Sequence, residues 1–189
     1  MNNNDFWKEQ YRNTWEKSAL RENLVQSLIE QQASCGINQI GLGAGSTEFL
    51  SGSASSHGLD KGGSDLQVNG TNIFIEVTGP QVYVHPSKPL WLRPDKIEYA
   101  EKNRERDCFV VHCNFDNSLM RIIHLDNNFF INYRGGNFAL ATPIIRGVRE
   151  TYVEIQSSNT SIKTMDFLIE YIINTLARGG EERADVVEL

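Results

Sequence analysis

Apolar side chains recur at helical spacing through the first thirty residues of the chain. Asp5 is of a type that often caps a helix N-terminus. Two successive sets of apolar residues then fit the face of a helix: Phe6, Trp7, Tyr11 and Trp15, and afterwards Leu20, Leu24, Val25, Leu28 and Ile29. We predict that one or two helices open the fold and that a short strand follows over residues 37–42.

Two β-type runs come next, at residues 64–68 and 72–78. They are separated by Asn69 and Gly70, and Asn-Gly is the dipeptide that a two-residue hairpin turn favours. We therefore predict that the two runs pair as antiparallel strands.

The second half of the chain alternates between helical and strand patterns. Pro94 suits a first helical turn, and the last apolar stripe recurs every three or four residues, as on one face of a helix. The predicted elements are a helix over residues 94–104, strands over 108–113 and 121–125, loop and irregular strand over 129–156, and a C-terminal amphipathic helix with Met165, Leu168, Ile169, Ile172, Ile173 and Leu176 on its apolar face. Together these elements predict a mixed α/β fold.

The composition is that of one globular domain. The chain has 189 residues, of which 40% are hydrophobic and 22% are charged, a balance that excludes whole-chain disorder and collagen-like structure. No apolar run is long enough to span a membrane and the first residues do not resemble a leader peptide. Three cysteines make a disulfide framework improbable. We expect a cytoplasmic protein that does not enter a membrane.

The net charge of −6 argues against a protein that coats nucleic acid with positive charge. The net charge does not exclude an enzyme that binds phosphate at a local basic site. Basic side chains concentrate in the middle of the chain, between Lys88 and Arg149, so an anionic ligand would be met there. A solvated surface of mixed charge is the alternative interpretation of this region.

Residues 41–63 are rich in glycine and serine. A loop of this length in a compact domain is often functional. Its glycines do not follow the spacing of nucleotide-binding motifs, so contact with a substrate is the better hypothesis. Ser46, His57 and Lys61 are its candidate substrate-binding residues.

Two acidic residues, Asp65 and Glu76, lie on the two strands of the predicted hairpin. Ten residues lie between them across a tight turn, so both side chains can converge at one end of a sheet. Mg²⁺ commonly binds one or two carboxylates and completes its shell with water and substrate phosphate. We predict a metal site here. The alternative is that Glu76 lies on a solvated edge strand and that Asp65 only ends a turn.

At this point the chain resembles a known family. The resemblance is carried by Glu22 in the first helical segment, Ser46 in the glycine-rich segment, Asp65 within Gly-Ser-Asp-Leu and Glu76 within Ile-Glu-Val. This succession resembles the PD-(D/E)XK restriction-endonuclease-like superfamily and is most similar to archaeal-type Holliday junction resolvases. It covers about residues 18–125 of a single nuclease-like domain, and residues 126–189 form a C-terminal extension.

The resemblance implies a restriction-endonuclease-like αβββαβ core with a mixed sheet flanked by helices. It also implies hydrolysis of phosphodiester bonds in DNA with Mg²⁺ or Mn²⁺, often by a homodimer. Asp65 and Glu76 match the metal ligands of the family, and Glu22 matches an acid of the first helix that assists the metal.

The chain departs from the family motif at Thr78. The motif ends in Glu-X-Lys, where the lysine orients the attacking water and stabilises developing charge, and threonine cannot supply that charge. Some family members provide the lysine from the following helix. Lys96 is the preferred substitute, and Lys88 and Arg93 are weaker ones that we also expect to contact substrate.

Three functions follow as hypotheses. The first is a metal-dependent endonuclease acting on DNA. The second is a catalytically inactive nuclease-fold module that binds nucleic acid, a nucleotide or a protein partner. The third is unrelated small-molecule chemistry in the glycine-rich loop.

Overall fold

A computed structural model describes residues 3–40, 63–145 and 147–187 of the chain. In these ranges the helices are α1 (Asn3–Ala33), α2 (Pro94–Lys102), α3 (Asn127–Arg134) and α4 (Met165–Val187). The strands are β1 (Ile37–Gln39), β2 (Leu66–Val68), β3 (Ile73–Thr78), β4 (Leu90–Leu92), β5 (Asp107–Cys113), β6 (Met120–His124), β7 (Ala139–Ala141), β8 (Ile144–Ile145), β9 (Val148–Arg149), β10 (Tyr152–Ile155) and β11 (Ile162–Lys163).

The main sheet has the strand order β1-β2-β3-β5-β6-β11. Strands β3 and β5 run parallel, and every other neighbouring pair in this sheet is antiparallel. The parallel step requires a crossover between β3 and β5, and α2 lies in that connection. The predicted mixed α/β fold with a mixed sheet is confirmed.

The hairpin predicted from Asn69 and Gly70 is present. Leu66 pairs with Ile75 in antiparallel register, and Gly70 has a φ of +76°, a conformation that glycine adopts without steric cost. The helix that begins at Pro94 and the strands around residues 108–113 and 121–125 are also present. Strand β1 ends at Gln39, and residues 41–42 of its predicted range lie outside the described residues.

The main sheet has two different sides. One side packs against α1 and α4 in an apolar cluster that includes Val25, Ile75, Phe109 and Leu168. The other side packs against α2, α3 and a small sheet of order β4-β10-β7. Side chains on neighbouring residues of a strand point to opposite sides, so Glu76 lies on this second side.

The prediction of loop and irregular strand over residues 129–156 is wrong in part. Residues 127–134 form α3 because Asp126 caps the helix, its carboxylate accepting from the Phe129 N–H at 2.8 Å. Phe129 and Phe130 are both buried, and burial of such aromatic pairs stabilises a short helix that propensity alone would not. Strands β7 and β10 form through pairing in the small sheet.

In the described part of the chain, no helix has a stretch that is both long and apolar enough to cross a bilayer.

Candidate active site

Asp65 lies immediately before β2, where the ladder between β2 and β3 ends. Its N–H donates to the Ile75 carbonyl at 3.0 Å, and its Oδ2 accepts from the Val77 N–H at 2.8 Å. The Val77 N–H lies beyond the end of the β2 ladder, where no backbone carbonyl of a described residue accepts from it. The Asp65 carboxylate accepts that hydrogen bond instead. This bond fixes the Asp65 side chain at the edge of β3.

Glu76 lies in β3, between Ile75 and Val77, which both point into the apolar cluster under α1 and α4. Alternation along the strand turns Glu76 toward α2. Its side chain is 13% exposed. The sequence pattern thus places a carboxylate on the half-buried side of a central strand rather than on a solvated edge.

Lys96 lies in the first turn of α2. Its Nζ donates to Glu76 Oε2 at 2.7 Å and to the Gly63 carbonyl at 3.1 Å. The helix is anchored by Ile97 and Tyr99, which are buried on its inner side. Lys96, which the family resemblance suggested as the substitute lysine, therefore contacts the candidate metal ligand Glu76 directly.

The electrostatics of this cluster favour a cation. Burial raises the pKa of Glu76 well above its ordinary value, and the charge of Asp65 raises it further, against the opposing effect of Lys96. Burial also raises the pKa of Asp65, although Lys96 and the Val77 N–H oppose that shift. Burial lowers the pKa of Lys96, but the two carboxylates outweigh it, so the net shift is upward. One ammonium does not balance two adjacent carboxylates.

The residues present fit Mg²⁺ or Mn²⁺. Hard divalent cations bind carboxylate oxygens and accept as few as one or two of them, and Asp65 and Glu76 supply two. Among the described residues, no three His, Cys, Asp or Glu side chains gather closely enough to hold a metal ion. Glu22 therefore does not complete a three-ligand set with this pair.

Glu22 lies in α1 and is 3% exposed. Its neighbour Arg21 reaches the end of β3, where it donates to the carbonyls of Gly79 at 2.9 Å and Pro80 at 2.6 Å. The first helix thus contacts the segment that follows the candidate site. Glu22 was predicted from the sequence, whereas Arg21 was not, because the contacts of Arg21 depend on a close approach of α1 to the end of β3.

A polar row beside Glu76 was also missed. Parallel pairing of β3 with β5 sets Thr78 opposite His112, and antiparallel pairing of β5 with β6 sets His112 opposite Arg121. Burial lowers the pKa of His112 to about 4, and the positive charges of Arg121 and Arg21 contribute. His112 Nδ1 is buried without a hydrogen-bond partner. The sequence feature that could have indicated this row is the position of His112 within an otherwise apolar strand.

The other residues predicted to contact substrate do not join this cluster or lie outside the described residues. Arg93 precedes α2, forms an ion pair with Asp95 at 2.5 Å, and lines an open cleft of about 400 Å³. Lys88 is exposed in the connection before β4. Ser46, His57 and Lys61 lie outside the described residues. The structure brings together Asp65, Glu76 and Lys96.

The sequence matches no known protein family profile and no curated protein. A solved structure with a similar fold is that of Hjc, a Holliday junction resolvase from the archaeal hyperthermophile Archaeoglobus fulgidus. The two chains are 12% identical, the match covers 82% of this chain and 96% of that one, and the TM-score is 0.45.

Proposed function

We propose that the protein is a metal-dependent nuclease that hydrolyses phosphodiester bonds in DNA at Asp65, Glu76 and Lys96. The observation that carries this proposal is the contact of 2.7 Å between Lys96 Nζ and Glu76 Oε2. A PD-(D/E)XK active site requires two carboxylates and a neighbouring lysine. Thr78 stands at the usual position of that lysine, and Lys96 on α2 takes its place.

Asp65 and Glu76 would hold the cation. A bound Mg²⁺ supplies Lewis-acid polarisation of the phosphate and lowers the pKa of an attacking water. Burial and the charge of Asp65 raise the pKa of Glu76, and a cation held between the two carboxylates would offset both effects.

Lys96 would act on the water and on the developing charge. Its ammonium lies against the carboxylate pair and keeps its proton, because the pKa of Lys96 is raised. A fixed positive charge beside the attacked phosphate stabilises negative charge that grows in the transition state. Glu22 and homodimer formation, both implied by the resemblance, stay predictions.

DNA as the substrate rests on the sequence resemblance and on local charge. The chain is acidic overall, yet residues 79–93 contain no Asp or Glu and include Lys88 and Arg93. A local basic stretch is sufficient to attract a phosphate backbone to one side of an acidic protein.

A binding module without catalysis is the second candidate. The absence of a lysine at Thr78 favours it, because relocation of the lysine to a helix makes its position dependent on how α2 packs. In that case the protein would bind DNA, and metal would not lead to cleavage.

Cleavage of labelled single-stranded, duplex and branched DNA tests the proposal. Reactions would contain Mg²⁺, Mn²⁺ or EDTA, with the wild type, Glu76→Gln, and Glu98→Gln as a matched control on the exposed side of α2. We expect cleavage that requires metal, is lost in Glu76→Gln by a factor of about 1,000, and is unchanged in Glu98→Gln.

Two results would overturn the proposal. Binding without cleavage under every metal condition would establish the binding module. Cleavage that persists in Glu76→Gln would place the active site elsewhere in the chain.

A further inference from the structure

The connection between β3 and β4 links the two halves of the candidate site. It spans residues 79–89, and we name it the 79–89 loop. It begins three residues after Glu76, and β4 leads from its end into the helix that carries Lys96. A ligand held by this loop would therefore lie beside the reacting groups.

The start of the 79–89 loop is fixed by α1. Arg21 binds the carbonyls of Gly79 and Pro80 and also donates to Asn117 at 3.3 Å. A Cβ at Gly79 would collide with the Cys113 carbonyl oxygen and would lie 3.1 Å from Arg21 Cζ. Glycine permits this close approach, which locks the first residues of the loop against β5.

The end of the 79–89 loop is fixed by side chains from two other segments. Arg121 Nη1 donates to the carbonyls of Pro86 at 2.8 Å and Lys88 at 3.2 Å. Ser157 Oγ donates to the Ser87 carbonyl at 2.8 Å. Side chains bound to backbone carbonyls hold both ends in one conformation.

The middle of this loop presents apolar side chains to solvent. Val82 is 67% exposed and Tyr83 is 66% exposed. Neither side chain forms a hydrogen bond or ring contact with another described residue. An uncovered aromatic ring on a loop whose two ends are fixed is available to a partner, and less of the loop has to become ordered on binding.

The charge around Tyr83 indicates the class of partner. His85 and Lys88 follow Tyr83 within the loop, and Arg121 binds the end of the loop. Residues 79–89 contain no carboxylate, which contrasts with the net charge of −6. An aromatic ring among basic residues is typical of surfaces that stack nucleobases, whereas lysine is depleted in protein interfaces.

We propose that Tyr83 stacks on an unpaired nucleobase of the DNA whose backbone enters the site. This inference rests on the proposed function and names the part of the substrate that the loop recognises. Bases inside a duplex are already stacked on their neighbours, so the ring discriminates DNA with unpaired bases from fully paired DNA.

Binding measurements in EDTA test this inference without cleavage. The substrates are a fully paired duplex and the same sequence with a short unpaired segment carrying 2-aminopurine. The variants are Tyr83→Ala, Tyr83→Phe, and Leu140→Ala as a control for loss of an equally exposed side chain, since Leu140 is 66% exposed.

We expect Tyr83→Ala to weaken binding to the unpaired DNA about tenfold and to change binding to the duplex by less than about twofold. Tyr83→Phe should bind as the wild type, because stacking needs the ring and not the hydroxyl. The wild type and Tyr83→Phe should quench 2-aminopurine, and Tyr83→Ala should not.

Equal weakening for both DNAs, or no weakening, would overturn the inference. A dimer in ultracentrifugation that Tyr83→Ala dissociates would also overturn it and would assign the loop to a protein interface. If the wild type cleaves DNA and Tyr83→Ala binds unpaired DNA normally, only this inference fails. If the wild type neither binds nor cleaves DNA, the proposed function fails with it.

Discussion

The two sides of the main sheet differ in the polarity of their side chains. The side under α1 and α4 is built from aliphatic and aromatic side chains. The side under α2 begins as an equally apolar cluster but carries Glu76, Thr78, His112 and Arg121 toward one end of the strands. The same strands serve both sides because neighbouring side chains alternate.

The apolar side of the sheet stabilises the fold, and the polar side carries the candidate active site. The apolar side holds the strands in register, and that register brings Asp65 beside Glu76 on the polar side. The polar side carries two features that cost free energy. One is a pair of adjacent half-buried carboxylates, and the other is a buried imidazole nitrogen without a hydrogen-bond partner. Such costs are frequent where function requires them.

The largest effect on stability should come from the apolar side. Phe109 is 1% exposed and stacks on His124 with ring centroids 4.1 Å apart. Phe109→Ala should lower the free energy of unfolding by about 4 kcal/mol because it leaves a cavity. Urea denaturation measures this change. Phe115, which is 44% exposed, is the control, and an equal loss in Phe115→Ala would contradict the assignment of the core.

The next effect is a pH dependence on the polar side. The pKa of His112 is about 4 in the folded protein against an ordinary value of 6.5. Between these values the unfolded chain binds the proton and the folded protein does not, so stability falls as the pH falls from 6.5 toward 4, by about 3 kcal/mol at most.

His112→Leu should remove this part of the pH dependence, measured as the melting temperature between pH 4 and pH 8. His85→Gln is the control, since His85 is exposed. Identical pH profiles for the wild type and His112→Leu would show that His112 is not buried in its neutral form.

A smaller gain in stability should accompany loss of Glu76. Its pKa is raised above the ordinary value of 4.5, so the wild type loses stability as the pH rises from 4.5 through the folded pKa. Glu76→Gln removes the repulsion with Asp65 and should raise the free energy of unfolding at pH 8 by about 1 kcal/mol. Glu98→Gln should not. A destabilised Glu76→Gln would mean that the ion pair with Lys96 outweighs the repulsion.

The smallest effect concerns Lys88 on the loop over the polar side. Lys88→Ala should weaken DNA binding about threefold and reduce the slope of log affinity against log salt by about 1. Lys102, exposed at the opposite end of α2, is the control. Fluorescence anisotropy at several salt concentrations distinguishes the two, and equal slopes for Lys88→Ala and the wild type would exclude a phosphate contact.

Sequence reasoning succeeded where the signals are local. The turn at Asn69 and Gly70 predicts the hairpin, and the hairpin brings Asp65 near Glu76. The first turn of α2 follows from Pro94, and Lys96 lies two residues later. In each case neighbouring residues determine the geometry.

The sequence did not predict contacts that depend on distant pairing. Strand β4 has three residues and exists because Leu92 pairs with Val153. The row that contains His112 depends on the parallel register between β3 and β5. Arg21 acts through the packing of α1 against the end of β3. None of these arrangements has a signature within a short window of sequence.

We propose that Lys96 does the work of a lysine that Thr78 does not supply, and a lysine exchange tests this most directly. Thr78 lies on the same side of β3 as Glu76. The measurement is the rate of metal-dependent DNA cleavage by the wild type, Lys96→Ala and the double variant Lys96→Ala with Thr78→Lys. We predict that Lys96→Ala lowers the rate about 1,000-fold and that adding Thr78→Lys restores it at least about tenfold. Cleavage by Lys96→Ala at the wild-type rate would contradict the claim.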